Sequence, residues 1–428
     1  RTSIIENVAF QLSYGLTAIL LLTSYFVEHN LQGKWKKTIC IAFLTPIIAL
    51  PLICHYFFTW NMLSILLAGL VVLLFESILI PGILFYAFAV VFDLVWISNG
   101  IVFFLDALLN ELNQIFSFCE QFLFLRFTFG SWSTVAWILY WLTLYVALVC
   151  YEKSWFRPYS SIVFAFCSFI IALSIPYHLH EQMIFLSTGS QVSVLYIPKG
   201  FNHATLVLRG GNQFTDSKGK FFHKQFFSKN VTNNILVEGI SQLDSIVLTN
   251  ASVEDSDDLK ELLQEFSVSE VVVSKNPSEK REDSKWDISV QRHEIGEIEL
   301  LSGVKWGLIP ANISKKEIQN SIFTIQGERI LIVEDKMKTL PDKVDFVIAS
   351  KKNAEGIAKI NGFTQMQTKS LILEKGNGIV KSHISSHFLD QLEQQVSHIW
   401  ISQEDGAVHM MQEKGVRKFH TIKSHKDE

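Results

Sequence analysis

The feature that most constrains this chain is its uneven distribution of charge. Up to residue 178 the sequence is a succession of apolar runs, with Lys, Arg, Asp and Glu confined to a few short places. From about residue 179 it reads as an ordinary charged α/β sequence. A run of ~20 mostly apolar residues matches the hydrocarbon thickness of a bilayer. Residues 1–178 are therefore expected to form a membrane bundle and residues 179–428 a soluble domain, and 428 residues leave room for both.

The candidate spans are residues 8–27, 39–58, 62–80, 83–105, 135–150 and 160–177, about six in all. Pro81-Gly82 divides an over-long apolar run, as a hairpin or as a broken helix. Lys34, Lys36 and Lys37 lie between the first two spans, and Lys153 and Arg157 between the last two. Basic loops stay in the cytoplasm. Three spans separate Phe58 from Glu152, so the two loops agree, and the last span carries residues 179–428 out of the cytoplasmic membrane. The chain begins at Arg1 with no signal-peptide pattern before the first span, and so reads as the carboxy-terminal part of something longer or as a cropped piece.

Between Asp106 and Arg126 polar residues (Asp106, Asn110, Asn113, Gln114, Glu120) interleave with Leu108, Leu109, Leu112, Ile115, Phe116 and Phe122. This pattern predicts an amphipathic helix over 106–126, lying in the membrane interface or packed on the bundle. Gln11, Glu76 and Asp93 are the polar residues set deepest in apolar runs. Such groups line a conduit, or lie hydrogen-bonded between helices or near a span end. All the cysteines (Cys40, Cys54, Cys119, Cys150, Cys167) fall in the membrane half without metal-site spacing, as small packing residues do.

Beyond residue 179 short apolar runs alternate with helical patterns. Strands are expected at 183–186, 192–197, 205–208, 245–248, 271–274, 322–325, 330–333 and 346–349, and helices at 257–266, 354–360 and 385–395. The mixture fits two sheets faced by helices, an αββα sandwich. The run Ile246 to Leu259 passes from an apolar strand through a polar loop into a helix with Asp255, Asp257 and Asp258 in its first turn. These acids suit the helix dipole, or could hold a hard cation such as Mg²⁺ weakly.

The segment Phe10-Gln11-Leu12-Ser13-Tyr14-Gly15 at the start of a span resembles a segment of the ComEC family of competence proteins. The similarity runs on through a basic loop into residues 45–57 (T-P-I-I-A-L-P-L-I-C-H-Y-F) and 61–68 (N-M-L-S-I-L-L-A). Gly69 stands where the family commonly has Asn, and a proline usual a few residues later is absent. Further spans and a small β-rich domain that the family carries upstream are not in this sequence.

The resemblance implies a membrane channel component that passes single-stranded DNA across the cytoplasmic membrane in natural transformation. The lipid bilayer and other competence-machinery proteins would be its partners, with a homo-oligomer possible. It also implies a metallo-β-lactamase-like fold for the soluble domain. The family's metal loop resembles Leu248–Asp255, with Asn250 and Asp255 in place of histidines, Ser252 at a ligand position and Glu254 in place of Asp. A later acid is matched at best by Asp335, and the H-H-G-S loop resembles Ser350-Lys351-Lys352-Asn353.

A catalytic metal pair needs neutral imidazoles and carboxylates converging at close range. With those groups replaced, the expectation is a degenerate, non-catalytic domain with no metal or other cofactor. The remaining histidines, His383 and His387 among them, are scattered without ligand spacing. Two alternatives stay open: a metal-dependent nuclease that degrades the non-imported strand, and a decayed paralogue without transport.

Overall fold

The computed structural model describes residues 8–30, 32–61, 63, 67, 71, 74–120, 126–131, 134–152, 177–187, 192–208, 225–249, 257–274, 290–293, 297–310, 319–325, 327–333, 337, 340–374, 386–401, 407–413 and 416–422. The chain divides into two compact units, residues 1–176 with 236–239, and residues 177–235 with 240–428.

The first unit begins with α1 (Val8–Asn30) and α2 (Lys34–Phe57). They approach closely because Gly15 has no side chain: a Cβ there would lie 2.9 Å from Leu52 Cδ2. α2 stops at Phe58, which adopts the left-handed conformation (φ 59°) and bonds back to the Cys54 carbonyl. The strand β1 (Thr59–Asn61) follows. A π turn, Phe75–Leu79, leads into α3 (Ile80–Val91), and α4 (Val95–Glu120) comes next. Strand β2 (Arg126–Thr128) pairs antiparallel with β1, and α5 (Thr134–Glu152) is the unit's last described helix. Ile19 of α1, Ile48, Leu50 and Leu52 of α2, Tyr140 of α5 and Phe129 form its core.

Among the described residues three helical stretches are long and apolar enough to cross a membrane: Ala9–His29, Lys36–Phe57 and Val95–Phe118. α5 covers the expected span 135–150, and the span 160–177 lies outside the described residues but for its last residue. The expected single span 83–105 is corrected. Helix continues through Pro81, because the π turn before it, with the Ile80 amide on the Phe75 carbonyl, absorbs the break in the hydrogen-bond ladder.

The chain turns instead at Phe92–Leu94. Asp93 has φ 55°, its amide bonds to Val90 O at 3.1 Å, and the Leu94 amide bonds to Ala89 O at 2.8 Å. This is a Schellman stop with Asp in the left-handed position usually given to Gly, a place its short polar side chain tolerates. The separate amphipathic helix expected at 106–126 is corrected as well, since residues 106–120 continue the helix that begins at Val95.

The second unit is a sandwich. In chain order it contains β3 (Tyr177–His178), β4 (Gln182–Ser187), β5 (Val192–Ile197), β6 (Gly200–Phe201), β7 (His203–Leu208), α6 (Gln225–Val237), β8 (Gln242–Leu248), α7 (Asp257–Glu265), β9 (Ser267–Ser274), β10 (Val290–His293), β11 (Glu297–Glu299), β12 (Lys305–Pro310), β13 (Gln319–Ile325), β14 (Glu328–Val333), β15 (Phe346–Ser350), α8 (Lys351–Lys359), α9 (Gly362–Gln365), β16 (Ser370–Glu374), α10 (Ser386–Glu393), β17 (His398–Ile401), β18 (Ala407–Glu413) and β19 (Val416–Ile422).

One sheet has the order β10-β9-β8-β7-β5-β4-β18-β19 and the other β11-β12-β13-β14-β15-β16-β17. Side chains alternate across each strand. Val194, Val207, Val247 and Val272 of the first sheet therefore meet Trp306, Phe323, Ile330, Phe346 and Ile372 of the second in one shared core. The alternate residues Leu331, Val347, Leu371 and Leu373 pack on Ala354, Ile357, Phe363, Phe388 and Leu392 of the helices. On the first sheet Leu206, Ile246 and Val271 are likewise buried, as are Val231, Ile235, Leu259 and Leu262 of α6 and α7. Both sheets thus lie between helices, and the domain is an α/β sandwich of the metallo-β-lactamase-like αββα type that the sequence predicts.

Candidate functional site

Parallel strands fed by helices leave their carboxy ends open to loops, the place where α/β sheets carry their sites. In the sandwich, β7, β8 and β9 run parallel in one sheet and β14, β15, β16 and β17 in the other. Both sets finish at the same edge. Glu374, the last residue of β16, accepts the Val192 amide on its Oε1 at 2.9 Å, and Val192 opens β5, which is antiparallel to β7. Glu374 is 3 % exposed and shares its strand parity with Ile372 of the inter-sheet core. A carboxylate at that depth is tolerated because it is hydrogen-bonded.

Around it stand groups committed to the backbone. Ser350, extended at φ −65°, caps α8: its Oγ accepts the Asn353 amide at 3.4 Å. Asn353 Nδ2 in turn donates to Val333 O at 3.2 Å, tying the end of β14 to the start of α8. The Thr249 amide donates to Leu208 O at 3.1 Å and holds the exit of β8 against β7. Lys351 is half-buried and Lys352 exposed, both in the first turn of α8.

Set against the metal pair that the fold family implies, these residues do not fit. The Ser350 hydroxyl already serves as a helix cap, and the Lys351 ammonium repels a cation. Among the described residues no three His, Cys, Asp or Glu side chains are gathered to hold a metal ion. Asn250, Ser252, Glu254, Asp255, Asp335 and His383 lie outside the described residues.

Of the histidines within the described residues, His293 ends β10, the outermost strand of its sheet and parallel to β9. His203 pairs with Asp244 (Nδ1 to Oδ2, 2.8 Å) at the opposite end of β7 and β8. His387 and His398 are exposed. That opposite end is closed by a polar row in register, Thr205, Ser245 and Glu270: Ser245 Oγ donates to Glu270, and Thr205 Oγ1 donates to Ser302 Oγ at 2.6 Å.

Sequence reasoning passed over Glu374 and Glu270. Glu374 could have been found in S-L-I-L-E (Ser370 to Glu374), a short buried-strand run that ends on an acid.

In the first unit the motif residues Phe10, Gln11, Leu12 and Ser13 lie on α1. The Phe10 and Tyr14 rings meet at 4.2 Å with planes tilted by 31°, Gln11 is half-buried, Leu12 packs on the core, and the Ser13 carbonyl accepts Thr17 Oγ1 at 2.7 Å. Glu76 falls in the π turn. Asp93 lies in the turn between α3 and α4, exposed. The structure does not bring Gln11, Glu76 and Asp93 together on one helix. α3 and α4 enclose a groove of about 420 Å³ between Ile78, Gly82 and Phe85 on one side and Ile97, Gly100 and Phe104 on the other.

Residues 4–154 match the family model described as Competence protein. Among solved structures, the chain is similar to the metallo-β-lactamase fold protein YhfI from Bacillus subtilis, at 9 % identity and TM-score 0.36, covering 54 % of this chain and 99 % of that one. A metal-dependent hydrolase of the β-lactamase superfamily matches at 11 % identity and TM-score 0.29, covering 52 % and 96 %. A metallo-β-lactamase variant from Cronobacter sakazakii matches at 12 % identity and TM-score 0.26, covering 45 % and 76 %. No curated protein matches the chain in sequence.

Proposed function

We propose, from the premise that residues 4–154 are a competence-protein domain, that this protein serves DNA uptake: its helices form part of the path by which single-stranded DNA crosses the cytoplasmic membrane. The observation that carries the reading is the coincidence of that family match with three helical stretches of membrane-spanning length and apolarity inside it. A polar strand can cross hydrocarbon only beside protein or water. The helices therefore act as a wall, and further copies or other competence proteins complete the passage and supply the driving force.

The pairing of β1 with β2 supports the orientation. Residues 59–61 and 126–128 are hydrogen-bonded neighbours, so the chain between them must leave and return. α4 makes one crossing, and the helical segment that ends with α3 at Val91 makes the other. With Lys34, Lys36 and Lys37 in the cytoplasm, the ribbon lies outside, α5 returns to the cytoplasmic Lys153 and Arg157, and the apolar run expected as a span at 160–177 carries the sandwich beyond the membrane.

In this reading the sandwich is a non-catalytic appendage. Ser350 and Glu374, both at the edge where the fold carries its chemistry, are committed to holding backbone. The test is import of a labelled strand by cells that lack the gene, with and without the full chain restored. Import that proceeds undiminished without the protein removes the proposal.

A further inference from the structure

The β1–β2 ribbon is two strands of three residues, yet the chain distorts a helix end to make it. Phe58 takes the left-handed conformation that a bulky side chain rarely adopts. The Phe129 amide then bonds to Phe58 O at 2.9 Å and lengthens the pairing.

Trp60 and Phe127 stand directly opposite each other in register, and opposed residues project to the same face. Their ring centroids are 6.5 Å apart with planes inclined at 30°, and Phe127 continues to Phe129 at 6.4 Å. In this file of three rings the two outer ones are rooted in the protein and the middle one is open. Phe129 is buried in the unit's core and Trp60 packs on it, while Phe127 is 41 % exposed. The Trp60 indole N–H is buried without an acceptor among the described residues.

The ribbon also holds the one Lys or Arg between Lys37 and Lys153. Throughout that stretch the other ionised side chains are acidic: Glu76, Asp93, Asp106, Glu111, Glu120 and Glu152. Arg126 lies at the ribbon's end, opposite Asn61 and next to Phe127. Proteins that bind single strands without sequence preference combine these two elements, aromatic faces for the bases and a cation for the backbone.

We infer that the β1–β2 ribbon is a stacking platform for a single-stranded nucleic acid, with Phe127 and Trp60 taking bases and Arg126 meeting phosphate. This deepens the DNA-uptake reading and rests on it.

The test uses the full chain in lipid nanodiscs and a fluorescein-labelled oligothymidylate. Phe127→Ala is expected to weaken binding roughly five- to hundredfold, the range for loss of one stacked base, while Phe127→Tyr binds as the unaltered protein does. Arg126→Gln is expected to lower the salt slope of binding by about 0.7. An oligonucleotide carrying iododeoxyuridine should photocrosslink to the peptide that contains Phe127.

If Arg126→Gln and Phe127→Ala both bind as the unaltered protein does, or if the crosslinks all map elsewhere, the platform is overturned and DNA uptake stands. Unchanged strand affinity together with altered quenching of tryptophan fluorescence by brominated lipids would assign the rings to the bilayer interface and overturns it too. If the unaltered chain binds no strand at all, both readings fall.

Discussion

The Tyr140 hydroxyl of α5 donates to the Ile47 carbonyl of α2 at 2.7 Å. Ile47 lies four residues before Pro51, which sits inside α2 and has no amide to return to it. In hydrocarbon an unsatisfied carbonyl is costly because no water replaces the missing donor. A side chain on a neighbouring helix thus closes the gap that the proline opens, and joins α2 to α5 by a bond as well as by packing.

The first prediction follows from that bond. Tyr140→Phe should destabilise the unit by about 1–3 kcal/mol, the cost of leaving a buried acceptor unmade. In a Pro51→Ala background the Ile47 carbonyl regains a helical donor, so the same change should cost about 1 kcal/mol less. Reversible unfolding in mixed micelles measures the cycle. Equal costs in the two backgrounds would show that Tyr140 acts by packing alone.

The second concerns the turn between α3 and α4. Asp93 holds a left-handed conformation between two Schellman bonds. Asp93→Gly should fit without strain, while Asp93→Val should cost about 1–2 kcal/mol because its branched Cβ crowds the carbonyl there. The readout is thermal stability of the purified chain in detergent. A valine variant as stable as the glycine one would contradict the described turn.

How much of this could be read from the residues depends on how local the deciding interaction is. Strands such as Val192–Ile197 and Phe346–Ser350 stand out as β-rich runs, because a strand buried on both faces must be apolar throughout. β18 and β19 were not visible. They carry His409, Gln412, Arg417 and Lys418, and what makes them strands is the pairing of β18 with β19 and with β4.

In the membrane half the apolar content showed where helix runs but not where it turns. Pro81-Gly82 looks like the break and Asp93 like an intruder within a span, yet a π turn accommodates the first and a left-handed residue makes the second the stop. At Ser350 and Lys351 the argument against a metal ligand needs only residue identity, since neither a hydroxyl nor an ammonium replaces an imidazole. The service of Glu374 was not, because its partner Val192 is 182 positions away in sequence.

A third prediction tests that distant contact. Glu374→Leu fills the volume but leaves the Val192 amide buried without an acceptor, and should cost the sandwich about 1–3 kcal/mol. Glu374→Gln keeps a carbonyl oxygen in place and should cost less. Hydrogen exchange at the Val192 amide separates the two variants. Faster exchange in Glu374→Leu but not in Glu374→Gln is expected, and equal protection in both would show that the carboxylate does not hold that amide.

The last prediction bears on chemistry at the open edge of the sandwich. A water is activated for hydrolysis near neutral pH when a metal lowers its pKa, and the metal must be gripped by imidazoles and carboxylates at close range. Here Ser350 is spent on capping α8, Lys351 brings a positive charge, and Glu374 is turned to the Val192 amide. The purified full chain should therefore bind neither zinc nor manganese stoichiometrically after dialysis against either ion. Its background DNA hydrolysis should be the same with and without a chelator. Elemental analysis together with cleavage of a labelled duplex checks both, and hydrolysis that a chelator abolishes and added metal restores would turn the sandwich into a nuclease.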